Sequence, residues 1–191
     1  VAGGDGSFEA ALNNPLFAKK NLGFFPLGAG NAFYSHFYKG KGMEYLRRKF
    51  RFRRTKLDIL ELSWDGKKVQ TLFAGIGIDA EVMRLSMNRT ESGFRDYFKA
   101  GFKVAVGSKA NYNLKLKIDG KEIHWPNCAN LVLAKIAYLG YGIRSLFYVK
   151  PTDNLVYGMG VVNRHSPFFN KFLRLWSLLL SHLGIDKPPL V

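Results

Sequence analysis

A glycine-rich turn near the start of the chain has the composition of a phosphate-binding loop. Gly3, Gly4 and Gly6 surround one carboxylate, Asp5, and Ser7 follows at the start of a helix-like segment. Glycines between a strand and a helix let backbone N–H groups approach a phosphate closely, and the helix N-terminus attracts its negative charge. A carboxylate there is suited to accept a proton from a hydroxyl or to hold a metal-bound water. Ordinary turn chemistry explains the same residues, so a loop without a ligand is the alternative.

A second glycine turn follows in the next part of the chain. Leu22–Leu27 predicts a buried strand, which leads into Gly28-Ala29-Gly30-Asn31 and a helical stretch through Tyr38. The helix after the first turn is predicted over Ser7–Asn14, with Ser7 as its N-cap. Two strand–turn–helix units in succession predict a doubly wound α/β domain, in which ligands bind at the carboxyl ends of parallel strands.

The rest of the chain has alternating apolar and polar segments joined by Asp-Gly pairs. Asp65-Gly66 lies between Lys56–Trp64 and Lys68–Ile76, and Asp119-Gly120 follows Asn111–Ile118. Both pairs predict β-hairpins. The other predicted elements are strands over Asn130–Ala137 and Asn154–Val162, and helices over Arg95–Val106 and Ser166–Leu183.

These patterns predict two domains. Residues 1–42 are interpreted as a partial α/β domain, because both strand–turn–helix units lie there. Residues 43–191 are interpreted as an antiparallel β-rich domain with helices, because hairpins favour antiparallel sheets. The boundary is placed within residues 39–55.

Composition restricts the partners. Lys and Arg number 29 against 14 Asp and Glu, a formal net charge of +15, which indicates an acidic partner such as anionic lipid, polyphosphate or nucleic acid. A single cysteine, Cys128, excludes an internal disulfide framework and fits the reducing cytoplasm. The basic run Arg47–Lys56 fits a solvated face, an anionic membrane surface or nucleic acid, and its two phenylalanines are weak support for the last.

Three motifs in order resemble the diacylglycerol kinase catalytic-domain family, which includes bacterial lipid kinases and sphingosine kinases. They are Gly3-Gly4-Asp5-Gly6-Ser7, Pro26-Leu27-Gly28-Ala29-Gly30-Asn31-Ala32-Phe33 and Gly75-Ile76-Gly77-Ile78-Asp79-Ala80-Glu81-Val82. The resemblance implies a nucleotide-binding α/β domain, an antiparallel β domain that receives the lipid, and transfer of a phosphoryl group from ATP with Mg²⁺ to a lipid hydroxyl. It also implies a peripheral protein on the cytoplasmic side of an anionic membrane. A homodimer is left open.

The resemblance also implies roles for individual residues. Asp5 would be the catalytic carboxylate and, with Asp79, would belong to the metal network. Asp79 and Glu81 would contact the lipid substrate, although capping of the following helix explains these two carboxylates as well. The residues implied to bind the nucleotide are Gly3, Gly4, Gly6, Ser7, Gly28, Gly30, Asn31 and Arg95.

Several positions depart from the family pattern. Ala29 replaces a usual hydroxyl residue, and Ala10 stands where the family has a helix glutamate, with Glu9 one place earlier. Asp-Gly-Glu, a later family motif, does not occur. We therefore expect a fragment that lacks its opening strands and its C-terminal end. The alternatives are an NAD kinase-like enzyme and a non-catalytic basic module that binds membrane or nucleic acid.

Overall fold

The computed structural model describes residues 1–38, 54–87, 94–107, 109–140, 143–144, 146, 148–163 and 166–182. These residues form a mixed α/β structure with antiparallel sheets and several helices, as the sequence predicted in outline. The predicted domain boundary at 39–55 and most of the basic run lie outside the described residues. The doubly wound character of the first domain stays a prediction.

The chain packs into two compact units, each built from two segments. Unit 1 comprises Val1–Phe73 and Ala134–Tyr157, and unit 2 comprises Ala74–Leu133 and Gly158–Val191. The chain therefore passes from one unit to the other three times, whereas the sequence prediction divides it once.

The described residues of unit 1 form short strands and two helices around an aromatic core. Its elements are β1 (Ala2–Gly3), α1 (Asp5–Leu12), a 3₁₀ turn (Pro15–Phe17), β2 (Phe25–Pro26), α2 (Ala32–Tyr38), β3 (Leu60–Trp64), β4 (Lys67–Thr71), β8 (Tyr138–Gly140) and β9 (Ile143–Arg144). The core centres on Phe8 and Ala32, with the Phe8 and Phe33 rings stacked at 4.5 Å and Phe24 edge-on to both. Stacked and edge-on aromatic pairs of this kind add to the stability gained from burial alone. They join the helices that follow the two glycine turns.

The first helix begins earlier than its sequence predicts. Helix α1 starts at Asp5 with Gly4 at the N-cap position, so the prediction of Ser7 as the N-cap is wrong. Glycine is an acceptable N-cap residue, and the acidic Asp5 in the first turn interacts favourably with the helix dipole. Ser7 consequently lies inside the first turn.

The hairpin predicted at Asp65-Gly66 is confirmed. Strands β3 and β4 pair antiparallel, with Trp64 opposite Lys67. Both turn residues have positive φ, +46° for Asp65 and +74° for Gly66, as a two-residue type I′ turn requires. The return strand is shorter than predicted, because β4 ends at Thr71 and the chain bends at Leu72 before the next strand begins at Phe73.

Histidine 36 has a structural contact in unit 1. Its Nδ1 accepts a hydrogen bond of 3.1 Å from the backbone N–H of Ala137, which requires Nδ1 to be unprotonated. Burial lowers the pKa of His36 below its ordinary value of 6.5, and the charge of Arg144 lowers it further. Protonation would therefore oppose both the hydrogen bond and the packing.

We expect the protein to lose stability on mild acidification because of His36. The unfolded chain takes up the proton more readily than the folded one, so this stabilisation is complete above the ordinary pKa and declines as the pH falls below it. Urea midpoints measured from about pH 8 to about pH 5 should decline more steeply for the wild type than for His36→Asn. Asparagine keeps an acceptor near the position of Nδ1 but does not titrate. Parallel pH curves for the two proteins would contradict this role of His36.

The described residues of unit 2 form a four-stranded sheet and three helices. Its elements are β5 (Phe73–Gly77), α3 (Ile78–Met87), α4 (Phe94–Gly107), β6 (Tyr112–Ile118), β7 (Lys121–Ala134), β10 (Tyr157–Val162) and α5 (Pro167–His182). The sheet order is β10-β7-β5, and β6 pairs antiparallel with β7 across the Asp119-Gly120 turn, which confirms the second predicted hairpin. The three helices pack in succession, α3 on α4 and α4 on α5.

Strand β7 differs from its prediction in length and in start. Of the predicted strand Asn130–Ala137, only Asn130–Ala134 belongs to β7, as the buried C-terminal part of a 14-residue strand that begins at Lys121. Residues 135–137 follow the end of the strand. A register shift separates the two parts, and Asn127 has a φ of +56° directly after Pro126. Proline and positive φ are tolerated at a β-bulge, so the strand bends there and continues.

Candidate functional site

The two glycine turns of unit 1 lie at the same end of a parallel strand pair. Ala2 is paired with Phe25 and Gly3 with Pro26, and the N–H of Leu27 donates to the carbonyl of Gly3 at 3.0 Å. Each strand leads through its turn into a helix, β1 into α1 and β2 into α2. The N-termini of both helices therefore follow the carboxyl ends of adjacent parallel strands.

The backbones of the turns are in direct contact. A Cβ atom added to Gly28 would overlap the Cα of Gly4 and would lie only 2.7 Å from the Gly4 nitrogen. A Cβ on Gly3 would overlap the Ser7 hydroxyl. Glycine is required at these positions by close packing. At Gly6, by contrast, an added Cβ meets no atom within 4 Å, because this exposed position faces open space.

Asp5 connects the first turn to the second. Its Oδ2 accepts the N–H of Ala32 at 2.8 Å and its Oδ1 accepts the N–H of Phe33 at 2.9 Å. These are the first two amides of α2, so the carboxylate from α1 caps the second helix. This structural contact was absent from the sequence interpretation. The catalytic and metal roles of Asp5 stay predictions.

Asn31 closes its own turn. Its Oδ1 accepts the N–H of Gly28 at 3.1 Å, and its Nδ2 donates to the carbonyl of Gly28. Its φ of +46° is in the left-handed region, which asparagine adopts more readily than most residues. The Asn31 side chain, which was predicted to lie beside a nucleotide, therefore has a structural role in the loop through its bonds to Gly28.

The predicted residues of the third motif lie in unit 2, at the turn between β5 and α3. The N–H of Asp79 donates to Asn130 Oδ1 at 3.1 Å, and Asn130 Nδ2 donates to Asp79 Oδ2 at 2.6 Å. Burial raises the pKa of Asp79, and the bond from Asn130 counters only part of that effect. A shielded carboxyl that holds its proton more tightly than usual is a common component of functional sites, and it is also found in structural pairs.

Gly77 makes this turn possible. Its φ is +93°, and an added Cβ would overlap the carbonyl oxygen of Ala129 on β7. The end of β5 can approach β7 this closely only with a glycine. Asp79 consequently reaches Asn130, the residue that follows Ala129.

Glu81 and Arg95 have different surroundings in unit 2. The charge of Glu81 raises the pKa of Arg174 on α5, although burial of that guanidinium lowers its pKa overall. Arg174 Nη2 also donates to Asn163 Oδ1 at 2.6 Å. Arg95 lies exposed in the first turn of α4. The predicted residues of the glycine turns belong to unit 1, and Asp79, Glu81 and Arg95 belong to unit 2.

A buried ion triad in unit 1 was missed by sequence reasoning. Lys135 is 2% exposed, and its Nζ lies 2.9 Å from Asp58 Oδ2 and 2.9 Å from Asp153 Oδ1. It also donates to the carbonyl of Leu155 at 2.6 Å, and the hydroxyl of Tyr157 donates to Asp153. The carboxylates lie 77 residues before and 18 residues after the lysine in the sequence. No local pattern could have joined them.

Two side chains connect α1 and its C-cap to β4 and the residue after it, and the sequence pattern did not predict these contacts. Glu9 accepts the Thr71 hydroxyl and the N–H of Leu72, and Asn13 exchanges two hydrogen bonds of 2.7 Å with the backbone of Gln70. Glu9, one helical turn after Asp5, is therefore already engaged by Thr71 and Leu72. The position of the implied family glutamate, Ala10, is exposed.

A groove of about 450 Å³ lies elsewhere in unit 1. It is bounded by the C-terminal end of α1, the residues that follow it and the β3–β4 hairpin, and its polar lining includes Asn13, Lys19, Glu61 and Lys68. None of the predicted site residues lines it. The groove is therefore separate from the glycine turns, and the functional proposal depends on the turns.

The described residues lack two features that cofactor-binding and membrane-spanning proteins often have. No three His, Cys, Asp or Glu side chains come together there as a group able to hold a metal ion. None of the helices within these residues is long and apolar enough to cross a membrane.

Comparison with known proteins assigns no family: no protein-family model matches the chain, and no curated protein matches it.

Proposed function

We propose that this chain belongs to an ATP- and Mg²⁺-dependent lipid kinase that transfers the γ-phosphoryl group to a hydroxyl of a diacylglycerol- or sphingosine-type lipid. It acts as a peripheral protein at the cytoplasmic surface of an anionic membrane. The order and composition of the three glycine-containing motifs support the proposal. So does the net charge of +15, which favours an anionic surface.

The contact between the two glycine turns is the observation that carries the proposal. The first-turn amides of α1 have no acceptor within the helix, and the absence of side chains at Gly4 and Gly6 leaves them accessible to a phosphate. Phosphoryl transfer depends mainly on positioning and on neutralising charge, so a rigid loop of backbone donors is a suitable component.

The proposal gives one role to Asp5, in unit 1, and one to Asp79, in unit 2. Asp5 holds the second turn against the first, and each of its oxygens has a further lone pair for the proton of an attacking hydroxyl. Asp79, with its raised pKa, is suited to a hydrogen bond with a lipid hydroxyl.

The described residues fit the phosphates of ATP better than a preformed magnesium site, because no group of three ligand side chains is present among them. Mg²⁺ is usually bound by one or two carboxylates together with substrate phosphates. It would therefore arrive with the nucleotide, and its chemistry would be to neutralise charge on the phosphates. We assign it no step of its own.

Gly6→Ala should separate nucleotide binding from stability. Alanine has a better helix propensity than glycine by up to about 1 kcal/mol, and the new methyl group meets no protein atom, so the free energy of unfolding should rise. If phosphates lie on this turn, the same methyl group obstructs them, and the Kd for ATP should increase about tenfold. Urea unfolding would measure the change in stability, and titration calorimetry with ATP and Mg²⁺ would measure the Kd. Phosphorylation of a lipid panel would show the effect on activity.

Gly107→Ala is the matched control. Gly107 is the last residue of α4, and an added Cβ there also meets no atom within 4 Å. This variant should bind ATP as the wild type does. Unchanged ATP binding by Gly6→Ala would remove the turn from the nucleotide site. Phosphorylation of NAD and not of lipid would favour an NAD kinase-like enzyme instead.

A further inference from the structure

Helix α5 of unit 2 exposes a continuous row of large aromatic side chains. Phe168 is 83% exposed, Phe172 54% and Trp176 45%, and Phe169 beside them is 45% exposed. We call these four residues the aromatic face. A cluster of exposed apolar side chains on a protein surface is a candidate interaction site.

The face is ordered along the helix. Phe168, Phe172 and Trp176 are spaced four residues apart, so they lie on successive turns of one side. The rings of Phe172 and Trp176 are nearly parallel, at 11° and 6.4 Å, and those of Phe169 and Phe172 lie 6.1 Å apart. The aromatic side chains therefore form one surface.

Contacts elsewhere on α5 hold it to the rest of unit 2. Arg174 donates to Asn163, directly after β10, and the helix packs on α4. Asn170, Leu173 and Arg174 are all less exposed than the aromatic face. The helix is thus anchored by one side while the aromatic face remains accessible.

The positive charge of α5 and of the helix packed on it favours an anionic partner. Helix α5 contains no Asp or Glu, and Lys171 is exposed among the aromatic residues. The neighbouring helix α4 adds exposed Arg95, Lys99 and Lys103, within a chain of net charge +15. Phe and Trp beside Lys and Arg is the composition of a helix that lies in a membrane interface, and each cation near an anionic surface adds to binding.

We infer that α5 docks the protein on an anionic lipid bilayer, with the aromatic face in the interface and the lysine and arginine side chains at the headgroups. The inference rests on the proposed action at a membrane surface, but it requires no phosphoryl transfer. A surface of this chemistry fits lipid better than a second copy of the chain, because two such copies would bring their positive charges together.

Trp176→Gln and Trp64→Gln form a matched pair for the test. Trp64, on β3 of unit 1, is 47% exposed, and Trp176 is 45% exposed. Trp64 lies outside the aromatic face. With vesicles of phosphatidylcholine and phosphatidylserine, Trp176→Gln should weaken binding about tenfold, because burial of an aromatic ring in the interface is lost. Trp64→Gln should bind as the wild type does. Bromine-labelled lipid should quench wild-type tryptophan fluorescence more than that of Trp176→Gln.

The outcomes separate docking from catalysis. Equal vesicle binding by both variants, or no quenching difference, would overturn the inference. Loss of a concentration-dependent dimer in Trp176→Gln, without vesicle binding by the wild type, would assign the face to a second copy and overturn it as well. Phosphorylation of a water-soluble short-chain lipid should be the same in both variants. If neither the wild type nor the variants phosphorylate this lipid, but vesicle binding still depends on Trp176, the kinase proposal is rejected and the docking inference stands.

Discussion

Replacing Lys135 with methionine should lower the free energy of unfolding by about 3 kcal/mol. Methionine preserves most of the apolar stem, so the change removes mainly the ammonium group. Asp58 and Asp153, each within 2.9 Å of that group, would then face each other without a cation. We expect the lower end of the range known for buried pairs, because both carboxylates are partly exposed.

The pH dependence of that loss provides a second readout. The hydrogen bond from Tyr157, together with those from Lys135 and Leu155, lowers the pKa of Asp153 from 3.8 to about 2. Burial alone would lower the pKa of Lys135, but its bonds to Asp153 and Asp58 outweigh this effect and raise it. A carboxylate with a lowered pKa stabilises the fold above its unfolded pKa, and this stabilisation is lost as the pH falls through the folded pKa. The deficit of Lys135→Met should therefore shrink as the pH falls from 3.8 to about 2.

Lys68→Met is the control for an exposed ion pair. Lys68 and Glu61 are also 2.9 Å apart, but their side chains are 68% and 51% exposed. Exposed pairs contribute between zero and about 1 kcal/mol. Equal losses for the two variants in urea unfolding would show that burial of Lys135 has no special effect.

The triple variant Lys135→Met with Asp58→Asn and Asp153→Asn should recover part of the loss, because no unpaired charge is left.

Gly77→Ala should destabilise the protein by about 3 kcal/mol or more, through two additive causes. A φ of +93° strains any residue with a Cβ, and that Cβ would overlap the carbonyl of Ala129. Relief of the overlap must separate β5 from β7 at the point where Asp79 meets Asn130. We therefore also expect the pKa of Asp79 to return toward its ordinary value, as carboxyl NMR titration would measure.

Gly75→Ala provides the comparison within the same strand. An added Cβ on Gly75 would have its nearest contacts at 3.7 Å, an ordinary van der Waals distance. Its effect on stability should stay within about 1 kcal/mol. A Gly77→Ala protein as stable as Gly75→Ala, with the Asp79 pKa still raised, would refute the requirement for glycine at this turn.

Local chemistry allowed much of the fold to be predicted. The hairpins at Asp65-Gly66 and Asp119-Gly120 formed as expected, because two residues that tolerate positive φ determine the turn by themselves. Helix α4 extends only one residue beyond each end of its prediction, because its apolar residues follow the helical repeat.

The features that were mispredicted or missed depend on contacts between residues far apart in the sequence. The N-cap assignment to Ser7 followed a residue preference, but α1 begins two residues earlier, next to Gly4, whose backbone packs against Gly28. Asp5 was predicted for its chemistry, yet its cap on α2 depends on residues 27 and 28 positions later. The partner of Asp79, Asn130, is separated from it by 51 residues, and only the sheet brings the two together.

The three crossings of the chain between its units have a consequence for synthesis and for cutting the protein apart. During synthesis, residues 1–73 leave the ribosome before Ala134–Tyr157 have been made. Because Lys135 and Asp153 lie in this second segment, the ion triad of unit 1 can form only later. By then unit 2 has most of its sheet but still lacks β10 and α5. Neither unit can be obtained by truncation at one point. Unit 2 would need residues 134–157 replaced by a linker that joins Leu133 to Gly158.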